Sequence, residues 1–167
     1  AEYSLEQIER LVNEWLTDVA SRQHFRSNTK ITVSIDYHQQ PYYGDRTLDW
    51  VTGMKRKKGT YFAITFLIIS ITTGTKRCPV AVRLMTTSLL KHKAYLIGQM
   101  LADLRLWLPI TRVMADRGFC DDDVIQVLKA YGLEYIIAAT RRDSIKQAAQ
   151  EIKDCVTALA RQAGVDV

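Results

Sequence analysis

The chain has 167 residues, 47% hydrophobic and 25% charged, with a formal net charge of +5. That length and mix fit one globular domain with a real core, and no internal repeat or low-complexity segment interrupts it. The longest apolar stretch, residues 61–71, is about half of what a membrane span needs. No charged n-region with an h-region and cleavage pattern is present, so a soluble, intracellular protein without a membrane partner is expected. The first residue is Ala1 rather than Met, as in an excised piece.

Cys78, Cys120 and Cys155 are widely spaced and form no Cys-x-x-Cys pair, which argues against a disulfide framework and against a zinc knuckle. The charge is unevenly spread. Residues 50–102 hold nine Lys/Arg and no Asp or Glu, while the remainder carries 14 basic against 18 acidic residues. A basic third joined to an acidic remainder fits a phosphate-backbone binder with an acidic, metal-binding centre. A solvated basic face without function is the plainer reading.

In chain order, residues 4–22 open with Ser4 as an N-cap and Gln7 at the capping-box position. Leu5, Ile8, Leu11, Val12, Trp15, Leu16 and Val19 then recur at helical spacing, so an amphipathic helix that packs its apolar stripe is expected. Residues 30–36 alternate with period two and are rich in β-branched residues, which predicts a strand ending at Asp36. Residues 38–53, with Pro41, Gly44 and Gly53, read as a long loop. Two further strands are expected over 60–70 and 80–86, separated by a turn over 72–77.

Leu96, Ile97, Met100, Leu101, Leu104 and Leu108 predict a helix over 93–107, ended by Pro109. Residues 110–115 read as a short strand finishing at Asp116. Asp121, Asp122 and Asp123 favour the positive end of a helix that carries Val124, Ile125, Val127 and Leu128 and closes at Gly132. A buried parallel strand over 135–139 and a last helix over 143–163 complete the chain. After the leading helix the order is β-β-β-α-β-α-β-α, the ribonuclease-H-like pattern of an α/β fold with a mixed five-stranded sheet. Right-handed crossovers set the last two strands beside the first. Residues 1–28 are expected to form the N-terminal helix and linker, and 29–167 the core.

That topology brings Asp36 and Asp116 together. A carboxylate beside Ile31, Val33 and Ile35 costs several kcal/mol, of the order found for unpaired buried charges, unless a donor, a cation or a metal meets it. Two such groups at neighbouring strand ends point to a two-metal phosphoryl-transfer site with Mg²⁺ or Mn²⁺. Loop capping, or pairing with Arg46, Arg112 or Arg117, is the plainer alternative.

The run IDYHQQPYYGD, then KRKKGTYFAITF, then MADRGFCDDDVIQVLKAYGLEYII, over about residues 31–140, resembles the DDE transposases of insertion sequences, close to the IS4-like and haloarchaeal-type groups. The resemblance implies a ribonuclease-H-like catalytic core that cuts DNA at element ends with a divalent metal. The freed 3′-hydroxyl is then joined to a target. It implies double-stranded DNA as partner, a homodimer on DNA, a prokaryotic cytoplasmic and nucleoid-associated location, and Asp36 and Asp116 as the first two catalytic acids.

The third acid of the family, a Glu in Tyr-x2-Arg-x3-Glu-x6-Lys, has no counterpart. Glu151, with 34 residues between it and Asp116, is one candidate, and a Glu beyond Val167 in a truncated core is the other.

For DNA contact, Lys55, Arg56, Lys57 and Lys58 are the expected phosphate ligands. His38 is a candidate for a phosphate or water near Asp36, with loop ordering as its plainer role. Tyr42 and Tyr43 are candidates for stacking on an exposed base, with loop packing equally expected. Two other functions fit the same residues: a catalytically inactive DNA-binding or assembly domain, and a ribonuclease-H-like nuclease or resolvase.

Overall fold

The computed structural model describes residues 4–22, 30–73, 76–138, 147, 150–155 and 157. They belong to two units, residues 1–137 and 138–167. The first unit contains α1 (Leu5–Arg22), β1 (Ile31–Pro41), β2 (Val51–Lys57), β3 (Thr60–Thr73), β4 (Lys76–Leu84), α2 (Lys93–Arg105), β5 (Ile110–Ala115), α3 (Asp122–Ala130) and β6 (Glu134–Ile137). In the second unit residues 147, 150–155 and 157 are helical. The rest of the helix expected over 143–163 lies outside the described residues.

The sheet order is β2-β3-β1-β5-β6, with β4 paired to the other half of the long β3. β1 and β3 are antiparallel, as are β3 and both β2 and β4, whereas β1–β5 and β5–β6 are parallel. This is the ribonuclease-H-like mixed sheet, three antiparallel strands followed by helix-linked parallel ones, with β2 added as a sixth strand. The core lies on one face. Val33 and Ile35 of β1, Leu67, Ile69 and Ile71 of β3 and Val113 of β5 are buried against Ile97 and Leu101 of α2 and Val124 and Leu128 of α3. Alternation along β1 leaves Ser34, Asp36 and His38 on the other face.

The turn expected over 72–77 is strand on both sides, since β3 reaches Thr73 and β4 starts at Lys76 and ends at Leu84, and four further expectations need correction. Asp36 does not end a strand, because β1 runs on to Pro41 by pairing with β3 from Asp36↔Ile68 to Pro41↔Ala63. Its parallel pairing with β5 does stop at Ile35↔Ala115, so Asp36 stands at the end of that seam. The loop expected over 38–53 shrinks to 42–50, since Val51–Lys57 forms a hairpin with β3. Lys58 (φ 49°) and Gly59 (φ 85°) supply the two positive-φ residues that a tight two-residue turn requires. The strand expected as buried over 135–139 is Glu134–Ile137, with Tyr135 and Ile136 exposed.

The fourth correction concerns α1. Its capping box forms as expected: the Gln7 N–H donates to Ser4 Oγ at 3.2 Å and the Ser4 N–H to Gln7 Oε1 at 2.9 Å. Its docking stripe is Glu9, Asn13, Leu16 and Ala20, not the apolar stripe alone. Only Leu16 and Ala20 are buried, while Leu5, Ile8, Leu11, Val12 and Trp15 stay largely exposed. The reason lies in β4, an edge strand with open backbone groups. Asn13 Nδ2 donates to Val82 O at 2.9 Å and Asn13 Oδ1 accepts from Val82 N at 2.8 Å. Glu9 Oε2 accepts from Leu84 N at 2.9 Å and Oε1 pairs with Arg83 at 3.1 Å. A helix lying along a strand edge must offer polar side chains to satisfy it.

Candidate active site and nucleic-acid interface

The strand directions decide where the chemistry-bearing residues gather. β1, β2, β4 and β5 all run one way and β3 runs against them. The segments leaving the first four therefore emerge at one end of the sheet. These are the 42–50 loop, the Lys58–Gly59 turn, residues 85–92 and the loop that carries Asp116. In open sheets with parallel strands, the carboxyl ends are where ligands bind.

Asp36 and Asp116 line a single cleft of about 260 Å³, together with Ser34, Thr72, Arg77 and Met114. The register places them side by side, one residue beyond the Ile35↔Ala115 pair. Both are exposed. Asp36 Oδ1 accepts from the Tyr37 N–H at 2.8 Å, and Asp116 Oδ1 accepts from the Gly118 N–H at 2.7 Å. Asp116 thus spends one oxygen on capping its loop, whereas the Asp36 contact lies within β1 and caps none.

Pairing with the three arginines does not occur among the described residues. Arg112 binds Glu134 at 2.6 Å, Arg46 lies over the Phe62 ring, and no ion pair joins Arg117 to either aspartate. Each carboxylate keeps a second oxygen for the cleft, and the Thr72 hydroxyl there is buried without a partner among the described residues. Hard oxygen donors of this kind suit a divalent cation. Two carboxylates fit part of such a donor set. Among the described residues no group of three or more His, Cys, Asp and Glu side chains is arranged to hold a metal ion.

The Asp116 loop is fixed from below by Phe119, Tyr37 and Lys93. Asp116 N-caps the short 3-10 turn Arg117–Phe119. Phe119 is fully buried and stacks on Tyr37 at 4.7 Å between centroids, which ties the residue after Asp36 to the loop of Asp116. Lys93 Nζ donates to Gly118 O at 2.8 Å and pairs with Asp121 at 2.5 Å.

Burial first, then the charges of Asp121 and Asp116, push the Tyr37 phenol up to about 12, and its hydroxyl has no partner among the described residues. Burial alone would raise the Asp121 carboxyl. The Lys93 hydrogen bond, the Val124 N–H, the Lys93 charge and the Asp123 N–H together hold it below the usual carboxylate range. Asp121 is the N-cap of α3, with Oδ1 accepting from Val124 N at 2.9 Å, so the acidic run serves the helix end. Period-two alternation alone would have put Ser34 on the face of Asp36 and Tyr37 beneath it.

The remaining candidates stand around this end. Lys55, Arg56, Lys57 and Lys58 are exposed on the β2–β3 hairpin, with Arg56 5.8 Å from the centroid of the Tyr61 ring. Tyr43 donates its hydroxyl to Lys58 O at 2.7 Å and so ties the 42–50 loop to the hairpin, while Tyr42 packs edge-on to Trp50 within the loop. Tyr43 keeps its ring largely in solvent. His38 is exposed on the face of Asp36. Glu151 is exposed in the second unit, where Gln147 donates to it at 3.1 Å. Among the described residues no helix is long and apolar enough to cross a membrane.

No protein-family model and no curated protein matches the chain. Among solved structures it is similar to the catalytic domain of Mos1 mariner transposase, at 11% identity over 84% of this chain and 65% of that one, with a TM-score of 0.45. It is similar to the catalytic core domain of BIV integrase at 10% identity over 81% and 74%, with a TM-score of 0.38. A Mos1 mariner paired end complex with Mn gives 15% identity over 86% and 46%, with a TM-score of 0.44. The chain thus spans 65% of the Mos1 catalytic domain and under half of the longer Mos1 chain.

Proposed function

We propose that this chain is catalytic core from a DDE-type DNA transposase, of the insertion-sequence kind its motifs resemble, acting on double-stranded DNA with a divalent metal. The observation that carries the reading is the convergence of Asp36 and Asp116 in one cleft at the end of the β1–β5 seam. In this reading the two carboxylates hold the cation. A bound Mg²⁺ or Mn²⁺ would supply activation of the attacking oxygen and stabilisation of the leaving one.

The chain's own residues do the rest. Tyr37 and Phe119 fix the spacing of the two acidic segments, Lys93 holds the Asp116 loop closed on α2, and the basic hairpin carries phosphate charge. Strand cleavage adds water across a P–O3′ bond and leaves a 5′-phosphate and a 3′-hydroxyl. Joining spends that hydroxyl on a target phosphodiester: a new P–O3′ bond forms as the target's own P–O3′ bond breaks and its 3′-hydroxyl leaves. The third acid belongs to the proposal as Glu151 or as a residue beyond Val167. A homodimer on DNA and a nucleoid location follow from the same reading.

The test is Mn²⁺ titration by calorimetry beside Mg²⁺-dependent cleavage of a DNA duplex. Asp36→Asn and Asp116→Asn should each weaken Mn²⁺ binding by about tenfold or more, as loss of a ligand or its support does. Equal affinity in wild type and both variants would sink the metal assignment. Glu151→Gln with unchanged cleavage removes Glu151 as the third acid.

One observation favours a second reading, an inactive DNA-binding domain: the two aspartates have no third acidic or imidazole ligand among the described residues. Salt-sensitive DNA binding with no cleavage under Mn²⁺ would select it.

A further inference from the structure

A second cleft, of about 550 Å³, opens at the same end of the sheet between the 42–50 loop and the segment that follows β4. Arg46, Thr86, Thr87, Ser88 and Lys91 line it, with Asp49 at the same rim. We propose that this cleft seats one backbone phosphate of the DNA strand that the Asp36/Asp116 cleft processes, a proposal that rests on the functional reading above.

Three features carry it. First, the Arg46 guanidinium lies 4.7 Å from the centroid of the Phe62 ring. That contact already restrains the side chain, so less rotamer freedom is lost when it grips an anion. Second, Thr86 Oγ1 and Ser88 Oγ are 2.9 Å apart and the Leu89 N–H donates to Thr86 Oγ1 at 3.2 Å. Two hydroxyl protons share one mutual bond, so whichever oxygen donates, one proton is left for an acceptor in the cleft. Third, the cleft is coupled to the acidic site by a short run of chain. Lys91 and His92 lead directly into Lys93, whose Nζ donates to Gly118 O in the loop of Asp116. Arg46 and Lys91 line this cleft at the sheet end from which the Lys58–Gly59 turn also emerges.

Asp49 is the counter-argument and also the best probe. Its carboxylate faces the same space and would repel a phosphate. The turn before it is set by Asp45, whose Oδ1 accepts from the Thr47 N–H at 2.9 Å and the Thr47 hydroxyl at 2.7 Å. The Thr47 hydroxyl is thereby spent within the loop.

The experiment measures binding of the full chain to a fluorescent DNA duplex by anisotropy over a range of NaCl concentrations. Each variant is checked first for an unchanged melting temperature. Lys91→Ala, and Lys91→Ala with Arg46→Gln, should each lower the salt slope by about 0.9, the value of one lost phosphate contact. Lys129→Ala, at the end of α3, should leave the slope as it is. Asp49→Asn should tighten binding several-fold, and Asp103→Asn, near the end of α2, should not.

A wild type with no salt-dependent DNA affinity overturns the functional reading and the cleft with it. A wild type that binds, beside variants of equal slope, overturns the cleft alone. Inorganic phosphate that raises the wild-type melting temperature but not that of Lys91→Ala, with equal DNA slopes, assigns the cleft to a free anion and overturns the DNA proposal. Because Lys91→Ala leaves the Arg46–Phe62 contact intact, it decides the question even if the double variant fails to fold.

Discussion

The two faces of β1 divide labour residue by residue. Val33, Ile35 and Tyr37 point into the core beneath α2 and α3, whereas Ser34, Asp36 and His38 point away from it. Stability and chemistry are thus interleaved at a spacing of one residue. The buried face holds the geometry, and the open face is left to carry charge without the desolvation that would neutralise it. A change at one position should therefore be felt in folding, and a change at the next in ligand binding.

Four measurements break or sharpen that division. Phe119→Ala removes the fully buried ring that stacks on Tyr37. It should lower the unfolding free energy by about 3–5 kcal/mol in denaturant titration. A loss under 1 kcal/mol would mean that Tyr37 and Phe119 do not lock the two acidic segments.

Asp121→Asn keeps a competent helix cap but removes the charge paired with Lys93, at a cost of about 1 kcal/mol for a partly exposed pair. The sign with pH follows from the depressed carboxyl of Asp121. Its contribution is complete above the unfolded carboxylate range and is lost as pH falls through the lower folded value. The wild type should lose stability more steeply than Asp121→Asn as pH is taken below about 4.

Tyr37 works at the other end of the scale. Burial pushes its phenol up to about 12, above the ordinary tyrosine value of about 10. Stability is therefore fully present below 10 and falls as pH rises towards 12. Tyr37→Phe should flatten that alkaline fall, and ultraviolet titration should show one tyrosine ionising late in the wild type only. The smallest effect on folding belongs to Asp36→Asn, within about 0.5 kcal/mol as for an exposed surface change. Ile35→Ala, one residue away and buried, should cost about 2–5 kcal/mol. Similar costs at both positions would abolish the division.

Much of this could be read in the chain because its periodicities are clean. Alternating Ile31, Val33 and Ile35, the Leu96-to-Leu104 pattern, the Ser4–Gln7 box and Gly132 at φ 64° each mark an element locally. The element order alone then sets Asp36 and Asp116 at neighbouring positions. The hairpin of β2 was hidden because Lys55, Arg56 and Lys57 are poor strand formers on an edge, and Lys58 takes a positive φ that sequence seldom assigns to lysine.

The overrun of β1 through His38–Pro41 was hidden too. Those residues are held by the length of β3 and not by their own alternation. Arg77 and Thr72 reach the acidic cleft from strands far away in sequence, and no local spacing announces that.

The Asn13 and Glu9 contacts to β4 carry a practical consequence. They make α1 a solubility element: it caps a strand that would otherwise be free to recruit another strand, and its Leu5, Ile8 and Val12 line an apolar groove with Trp50, Ile64, Phe66 and Leu84. A shortened protein that begins after Arg22 should therefore self-associate with rising concentration in sedimentation velocity, even with its acidic cleft intact. Work on the carboxylates that trims the helix away for convenience would be reading the behaviour of an exposed strand.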